Sequence, residues 1–189
     1  MKKNYFINRI NAVFLLFAAV SIVLAGCEYI DRTGIPTGSS KQAIAIINPS
    51  NDSGVTGKAT FTQMGPAVMV HIEVKNMSPG QRAVHIHENG DCSAPDGTSA
   101  GGHWNPTNVA HGKWGVGEFH LGDIGNIEVG EDGTGSIELT TDLWEIGTGS
   151  NIDVVGKSII VHSGADDFVS QPSGNAGSRV GCGVIELVE

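Results

Sequence analysis

The segment Ala67-Val68-Met69-Val70-His71-Ile72-Glu73-Val74-Lys75 alternates without a break. Val68, Val70, Ile72 and Val74 fall on one side; Met69, His71, Glu73 and Lys75 fall on the other. A two-residue period of this kind is a half-buried β-strand. The same reading extends in both directions. Val55 to Gln63 alternates and is stopped by Met64-Gly65-Pro66, and Ala43 to Ile47 is followed by a turn cluster from Asn48 to Gly54. Asn76-Met77-Ser78-Pro79-Gly80 turns the chain into a strand from Arg82 to His87. Further strands are expected at Asn126–Val129, Ser136–Thr140, Ser158–His162 and Gly183–Val188, with residues 141–156 read as loop. About eight short strands and no amphipathic helix predict an all-β antiparallel barrel or sandwich.

Composition supports that class. The chain has 189 residues, one domain's worth, with 27 glycines, 40% hydrophobic and 16% charged residues. Many turns around a real core fit these numbers; a helical bundle, global disorder and a multidomain assembly do not. The formal charge of −9 makes nucleic acid an unsuitable partner. The start of the chain reads separately. Lys2, Lys3 and Arg9 precede an apolar run from Ala12 to Leu24 broken by Ser21 alone, too short for a comfortable membrane span but suited to a secretory signal. It ends in Leu24-Ala25-Gly26-Cys27, which resembles the lipobox of bacterial lipoproteins. The expectation is a signal peptide over 1–26, an acylated Cys27, a flexible tether over 27–41 and a folded domain over 42–189. The protein would then be extracytoplasmic, lipid-anchored on the periplasmic or cell-surface side of a bacterial membrane. The leader carries three of the 11 cations and none of the 20 acids, so the chain from Cys27 has a formal charge of −12. Cys92 and Cys182 remain, and an even pair in an exported protein reads as a disulfide rather than two free thiols.

The histidines carry the chemistry. His85 and His87 are two apart on a strand, so both rings leave the same face while Val84 and Ile86 face the core. Such a pair is a bidentate metal platform, and His162 at the end of another apolar strand can supply a third ring. Glu88 to Gly122 has no sustained apolar period, which in a compact domain marks a functional loop. It brings His103, His111 and His120, with Asp123 just beyond. Three imidazoles and one carboxylate form a complete tetrahedral set suited to structural zinc, and bound metal would order a loop that lacks its own core. His71 shares its face with Glu73 and Lys75 and is read as solvent-facing. Trp104, Trp114 and Phe119 are read as packing the loop, and Asp166 to Ser178 as a second Gly/Ser/Pro-rich loop.

Taken together, His85-Ile86-His87-Glu88, Gly90-Asp91-Cys92, Gly102-His103-Trp104-Asn105-Pro106, His111, His120-Leu121-Gly122-Asp123 and Gly174-Asn175-Ala176-Gly177-Ser178-Arg179-Val180-Gly181-Cys182-Gly183-Val184 resemble copper/zinc superoxide dismutase over about residues 42–188. The resemblance implies an eight-stranded Greek-key β-barrel with two long functional loops. It implies one copper per subunit on His85, His87, His103 and His162, and one zinc on His103, His111, His120 and Asp123, with His103 shared. It makes Asp166 a link between one copper and one zinc imidazole, Arg179 the holder of the superoxide anion, and Cys92–Cys182 the family's disulfide. The activity implied is conversion of superoxide to dioxygen and hydrogen peroxide by copper cycling, protecting the extracytoplasmic space. The alternative is a noncatalytic copper/zinc-binding lipoprotein or metallochaperone, which would have no use for Arg179 or Asp166. The family's dimer contacts do not map onto the sequence, so a homodimer is left open. The segment from Asp166 to Gly177 has no Lys or Glu to draw the anion inward. With a charge of −12 as well, the rate is expected to fall only modestly with salt.

Overall fold

The computed structural model describes residues 40–189. The leader over 1–26, Cys27 and residues 28–39 of the tether lie outside the described residues. Nine strands follow: β1 Gln42–Pro49, β2 Thr56–Met64, β3 Ala67–Lys75, β4 Gly80–His87, β5 Gly125–Val129, β6 Gly135–Thr141, β7 Ser158–His162, β8 Arg179–Val184 and β9 Glu186–Leu187. Hydrogen bonding runs β2-β3-β6-β5-β4-β7-β8-β1, and β1 also pairs with β2, which closes eight strands into an antiparallel barrel. Because β3 lies beside β6 and β4 beside β7, the connections β3–β4 and β6–β7 cross between non-neighbours, a Greek-key arrangement. Closure removes the sheet edges that an open sheet would expose. Among the described residues there is no α-helix, only a single 3₁₀ turn at Thr98–Ala100.

Alternation fills the barrel. Val68, Val70, Ile72 and Val74 of β3 are buried inward, as are Ala43, Ala45 and Ile47 of β1 and Val84 and Ile86 of β4. His71 lies on the outer face between Glu73 and Glu138. Strand β7 is buried at every residue, as are Ala83 to His87 of β4, because the long loop covers the outer side. There Ile160 packs with Ala100 and the disulfide sulfurs rather than with the interior.

Two expectations need correction. The closing strand begins at Arg179, not Gly183, and pauses at Ile185 before β9. Its glycines, Gly181 before the expected start and Gly183 at it, are what lets β8 lie against β1. A Cβ on Gly183 would sit 2.5 Å from the Ile46 carbonyl oxygen, and one on Gly181 2.8 Å from the Ile47 side chain. Residues 141–156, read only as loop, carry the largest fully buried side chain, Trp144. Its ring packs on Phe61 and Trp114, and its indole N–H donates to the Leu121 carbonyl at 3.0 Å. The surrounding turn is held by Asp153, whose carboxylate accepts from the N–H groups of Gly147, Thr148, Gly149 and Val155.

Candidate metal centre

Strand β4 carries His85 and His87 outward from the barrel, opposite Ile160 and Ser158 of β7. The long loop then folds back along the end of β4. Glu88 N–H donates to Gly102 O, Trp104 N–H to Ile86 O, and Ile86 N–H to Gly122 O. These bonds set His103 directly across from His87. Trp104, Leu121 and Ile124 anchor the loop in the apolar core, and the Cys92–Cys182 bond, with Cα atoms 5.8 Å apart, ties it to β8. As read from sequence, Trp104 is buried and Trp114 stacks near Phe119. A bulge between Val161 and His162 in β7 places His162 opposite Arg179; bulges re-aim side chains in this way beside sites.

Two clusters result, and both are buried. One ligand atom from each of His85, His87, His103 and His162 lies within 4.8 Å of the others, and the same holds for His103, His111, His120 and Asp123. The ring nitrogens divide their work. His85 Nε2 meets Asp166 Oδ2 at 2.9 Å, His87 Nδ1–H donates to Gly101 O at 2.9 Å, and His162 Nδ1–H to Gly177 O at 3.3 Å. His103 Nδ1 meets Asp123 Oδ1 at 2.8 Å. That leaves His85 Nδ1, His87 Nε2, His103 Nε2 and His162 Nε2 buried with no protein partner. Buried polar atoms are ordinarily satisfied, so four such nitrogens around one point fit a cation that takes imidazole ligands. In the other cluster the Nδ1 atoms of His103, His111 and His120 all close on the Asp123 carboxylate, at 2.8, 3.0 and 3.2 Å. His120 N–H and Gly112 N–H hold the same carboxylate from the backbone. This mixed nitrogen and oxygen set fits zinc.

Asp166 joins the clusters: Oδ2 meets His85 and Oδ1 meets His111 Nε2, both at 2.9 Å. Gly174 makes room for that link, since a Cβ there would lie 1.8 Å from Asp166 Oδ1 and 2.7 Å from His111 Nε2. Two side-chain amides, neither singled out in sequence, complete the frame. Asn126 donates to Asp166 O and accepts from Asp166 N–H. Gln171 accepts from His111 N–H and donates to His111 O, both at 2.9 Å. No spacing in the chain announces either clamp.

Charge follows this geometry. Burial holds His87 and His162 well below the usual imidazole range, and the neighbouring rings add to the effect. Burial likewise brings His103 down to about 4, with Asp123 opposing. His111 is the converse: burial opposes its charge, but Asp123 and Asp166 on either side raise it to about 9. Burial would raise Asp123 and Asp166, yet the imidazole hydrogen bonds hold both well below the ordinary carboxylate range.

Arg179 reaches over the first cluster. Its Nη1 and Nη2 donate to Gly97 O at 2.6 Å and Gly101 O at 2.7 Å. It lines a cavity of about 480 Å³ whose wall includes His87, His103 and His162. The site therefore offers a cation-binding pocket, a charged donor fork beside it, and solvent access.

Residues 55–185 match the family described as copper/zinc superoxide dismutase (SODC). The chain is 37% identical over 149 residues to a Cu-Zn superoxide dismutase of Caulobacter vibrioides, covering 76% of this chain and 85% of that protein. It is 35% identical over 145 residues to a Cu-Zn superoxide dismutase of Aquifex aeolicus, covering 75% and 85%.

Proposed function

The chain belongs to the copper/zinc superoxide dismutase family, oxidoreductases that act on superoxide with copper and zinc as cofactors, and from that premise we propose the residues that carry the reaction. His85, His87, His103 and His162 hold copper; His103, His111, His120 and Asp123 hold zinc. Four buried imidazole nitrogens left without a protein partner carry this assignment. When bound, copper supplies reversible one-electron exchange with superoxide and zinc supplies a redox-silent positive charge. Two superoxide ions and two protons become one dioxygen and one hydrogen peroxide.

The chain's own residues do the rest. His103 belongs to both clusters, presenting Nδ1 to Asp123 and Nε2 to the cavity side. That Nε2 has one lone pair, so it would hold a proton, to pass to the nascent peroxide, only while it is not a ligand of copper. Asp166 fixes the orientation of His85 and His111 together, and such outer links are worth roughly ten- to hundredfold in metal affinity. Arg179 holds superoxide by charge-assisted hydrogen bonds, its fork already oriented by two carbonyls. Apart from Arg179, the cavity wall has no Lys or Arg, in keeping with weak long-range steering and a rate that falls only modestly with salt.

The disulfide fits a compartment outside the cytoplasm. The leader pattern and Leu24-Ala25-Gly26-Cys27 support a protein tethered there by lipid on Cys27, protecting that space from superoxide. Intact-mass analysis of the cell-derived protein tests the tether: an unmodified N-terminal cysteine rules it out. For the site, the purified protein is loaded with both metals, its metal content measured and superoxide decay followed. His87→Ala is expected to lose copper and activity. Arg179→Ala is expected to keep both metals and lose roughly ten- to hundredfold in rate, the worth of a hydrogen bond to a charged group. A His87→Ala protein with full copper and undiminished activity would overturn the ligand assignment.

A further inference from the structure

We propose that Asn51, in the turn between β1 and β2, is a positioning residue for Arg179. The inference rests on the reading of Arg179 as the holder of the substrate anion. The β1–β8 ladder reaches its last pair at Pro49 and Gly181. Beyond it the turn takes over. Ser50 N–H donates to Val180 O at 3.0 Å, Ser53 Oγ–H donates to the same oxygen, and Asn51 Nδ2–H donates to Arg179 O at 2.9 Å. Asn51 also donates its main-chain N–H to Pro95 O at 2.8 Å. Pro95 lies in the turn Ala94–Gly97, closed by Gly97 N–H to Ala94 O. Gly97 O in turn accepts from Arg179 Nη1.

These contacts form a closed circuit. Asn51 grips the main chain of Arg179 with its side chain and, with its backbone, the loop whose carbonyl grips the guanidinium. An arginine side chain gives up rotamer freedom along its whole length when fixed. Holding both its root and the acceptor of its tip sets that orientation before substrate arrives. The residue type suits the place. Asn51 has φ 53°, in the left-handed region that asparagine and glycine tolerate and most side chains avoid. It is exposed, so removing its side chain empties no part of the core. Among the described residues no hydrogen bond joins Asn51 to a residue of the metal clusters, and its side chain reaches the site through the Arg179 carbonyl.

The test is a double-mutant cycle on the copper- and zinc-loaded protein. Asn51→Gly, which keeps the turn conformation, is made in the wild-type and the Arg179→Ala backgrounds. Metal content, superoxide decay and the affinity for azide, a small monoanion read by its absorption on copper, are measured for all four proteins. In the wild-type background, Asn51→Gly is expected to weaken azide and slow dismutation roughly three- to tenfold with copper and zinc unchanged, the loss of one neutral hydrogen bond. In the Arg179→Ala background it is expected to change neither. Equal losses in both backgrounds, or no loss in either, overturn the proposal. Azide binding and a rate unaffected by Arg179→Ala would instead overturn the role of Arg179, and this inference with it. Should Asn51→Gly yield too little folded protein, Asn51→Asp keeps the turn and the main-chain bond, replaces the donor by an acceptor and adds one negative charge. At high salt, where its added charge is screened, it is expected to show the same loss and the same dependence on Arg179.

Discussion

Strand β4 faces two environments that are equally dry and differently held. Inward, Val84 and Ile86 are fully buried among aliphatic neighbours. Outward, His85 and His87 are as deeply buried, but among imidazoles, a carboxylate and loop carbonyls. Apolar packing is non-directional and roughly proportional to area, about 25 cal/mol per Å², so the interior is stabilised by many small, replaceable contributions. The outer shell has Trp104, Leu121 and Ile124 as apolar anchors and otherwise depends on a few directional links: the disulfide, Asp166, two amide clamps and the two cations. Such a shell fails in steps as its links are removed, whereas the interior weakens by degrees.

Stripping both metals tests that contrast most severely. Structural zinc contributes on the order of 10–16 kcal/mol where folding depends on it. Chelation is expected to lower hydrogen-exchange protection across residues 88–124 and 163–178 far more than in β1, β2, β3 and β6. Uniform loss over all strands would mean that shell and interior are one cooperative unit. The opposite cut is Trp144→Ala, which attacks the interior and removes no proposed ligand, although its indole N–H also holds the Leu121 carbonyl of the ligand-bearing loop. Its ring is fully buried between Phe61 and Trp114, so truncation is expected to cost about 3–5 kcal/mol in denaturant unfolding, with metal content unchanged in whatever remains folded.

The two halves also differ in how far they can be read from sequence. The alternation of Ala67–Lys75 announces β3 because one face is dry and the other wet. It does not operate for β7, dry on both sides, which is read instead as a short apolar run, and the first residues of β8 are missed, where Gly181 looks like a turn residue but is required by the close approach of β1. The burial of Trp144 is not legible in residues 141–156, since the turn that delivers it is made by Asp153 accepting backbone N–H groups rather than by periodicity. The histidines of the site stood out by residue type and by resemblance to a family. Which nitrogen each ring offers did not, because the tautomer is set by carbonyls and carboxylates far away in sequence, such as Gly101 for His87 and Gly177 for His162. Asn51, Asn126 and Gln171 were silent for the same reason: an amide clamp leaves no period.

A narrower cut is Gly174→Ala. The added methyl would overlap Asp166 Oδ1 and crowd His111 Nε2, and φ at this position is 65°, where a side chain is strained. The link between clusters is expected to open, with zinc affinity falling roughly ten- to hundredfold in competition with a chelator. The barrel's resistance to denaturant in the metal-free form should barely change. Unaltered zinc affinity would show that Asp166 does not orient His111.

Acidity acts more gradually and has a definite sign in the metal-free protein. His87, His103 and His162 have depressed folded values, so the unfolded chain gains protons first. Their stabilisation is present above about 6.5, the ordinary imidazole value, and is lost as pH falls, for His103 toward about 4. His111 is raised to about 9; its stabilisation is present below about 6.5 and is lost as pH rises through 9. The melting temperature of metal-free protein is expected to peak near neutrality and fall more steeply on the acid side, where more groups act. A curve still rising at pH 9 would contradict the paired-carboxylate environment of His111.

The smallest effect is expected from His71, which separates residue type from position. Its ring stands on the outer face of β3 with Glu73 and Glu138 at its two edges, 3.6 and 3.3 Å away. In composition this imidazole with two carboxylates is not far from the ligand set of the second cluster. The difference is solvent. Both glutamates are more than half exposed, so water competes for each contact, and an exposed pair contributes about 0–1 kcal/mol. His71→Gln keeps the bulk and one donor. It is expected to shift stability by less than about 0.5 kcal/mol and to leave copper content, zinc content and superoxide decay unchanged. A metal deficit in this variant would mean that the outer face of β3 takes part in holding or delivering the cations, and the division between a plain barrel wall and a reactive shell would have to be redrawn.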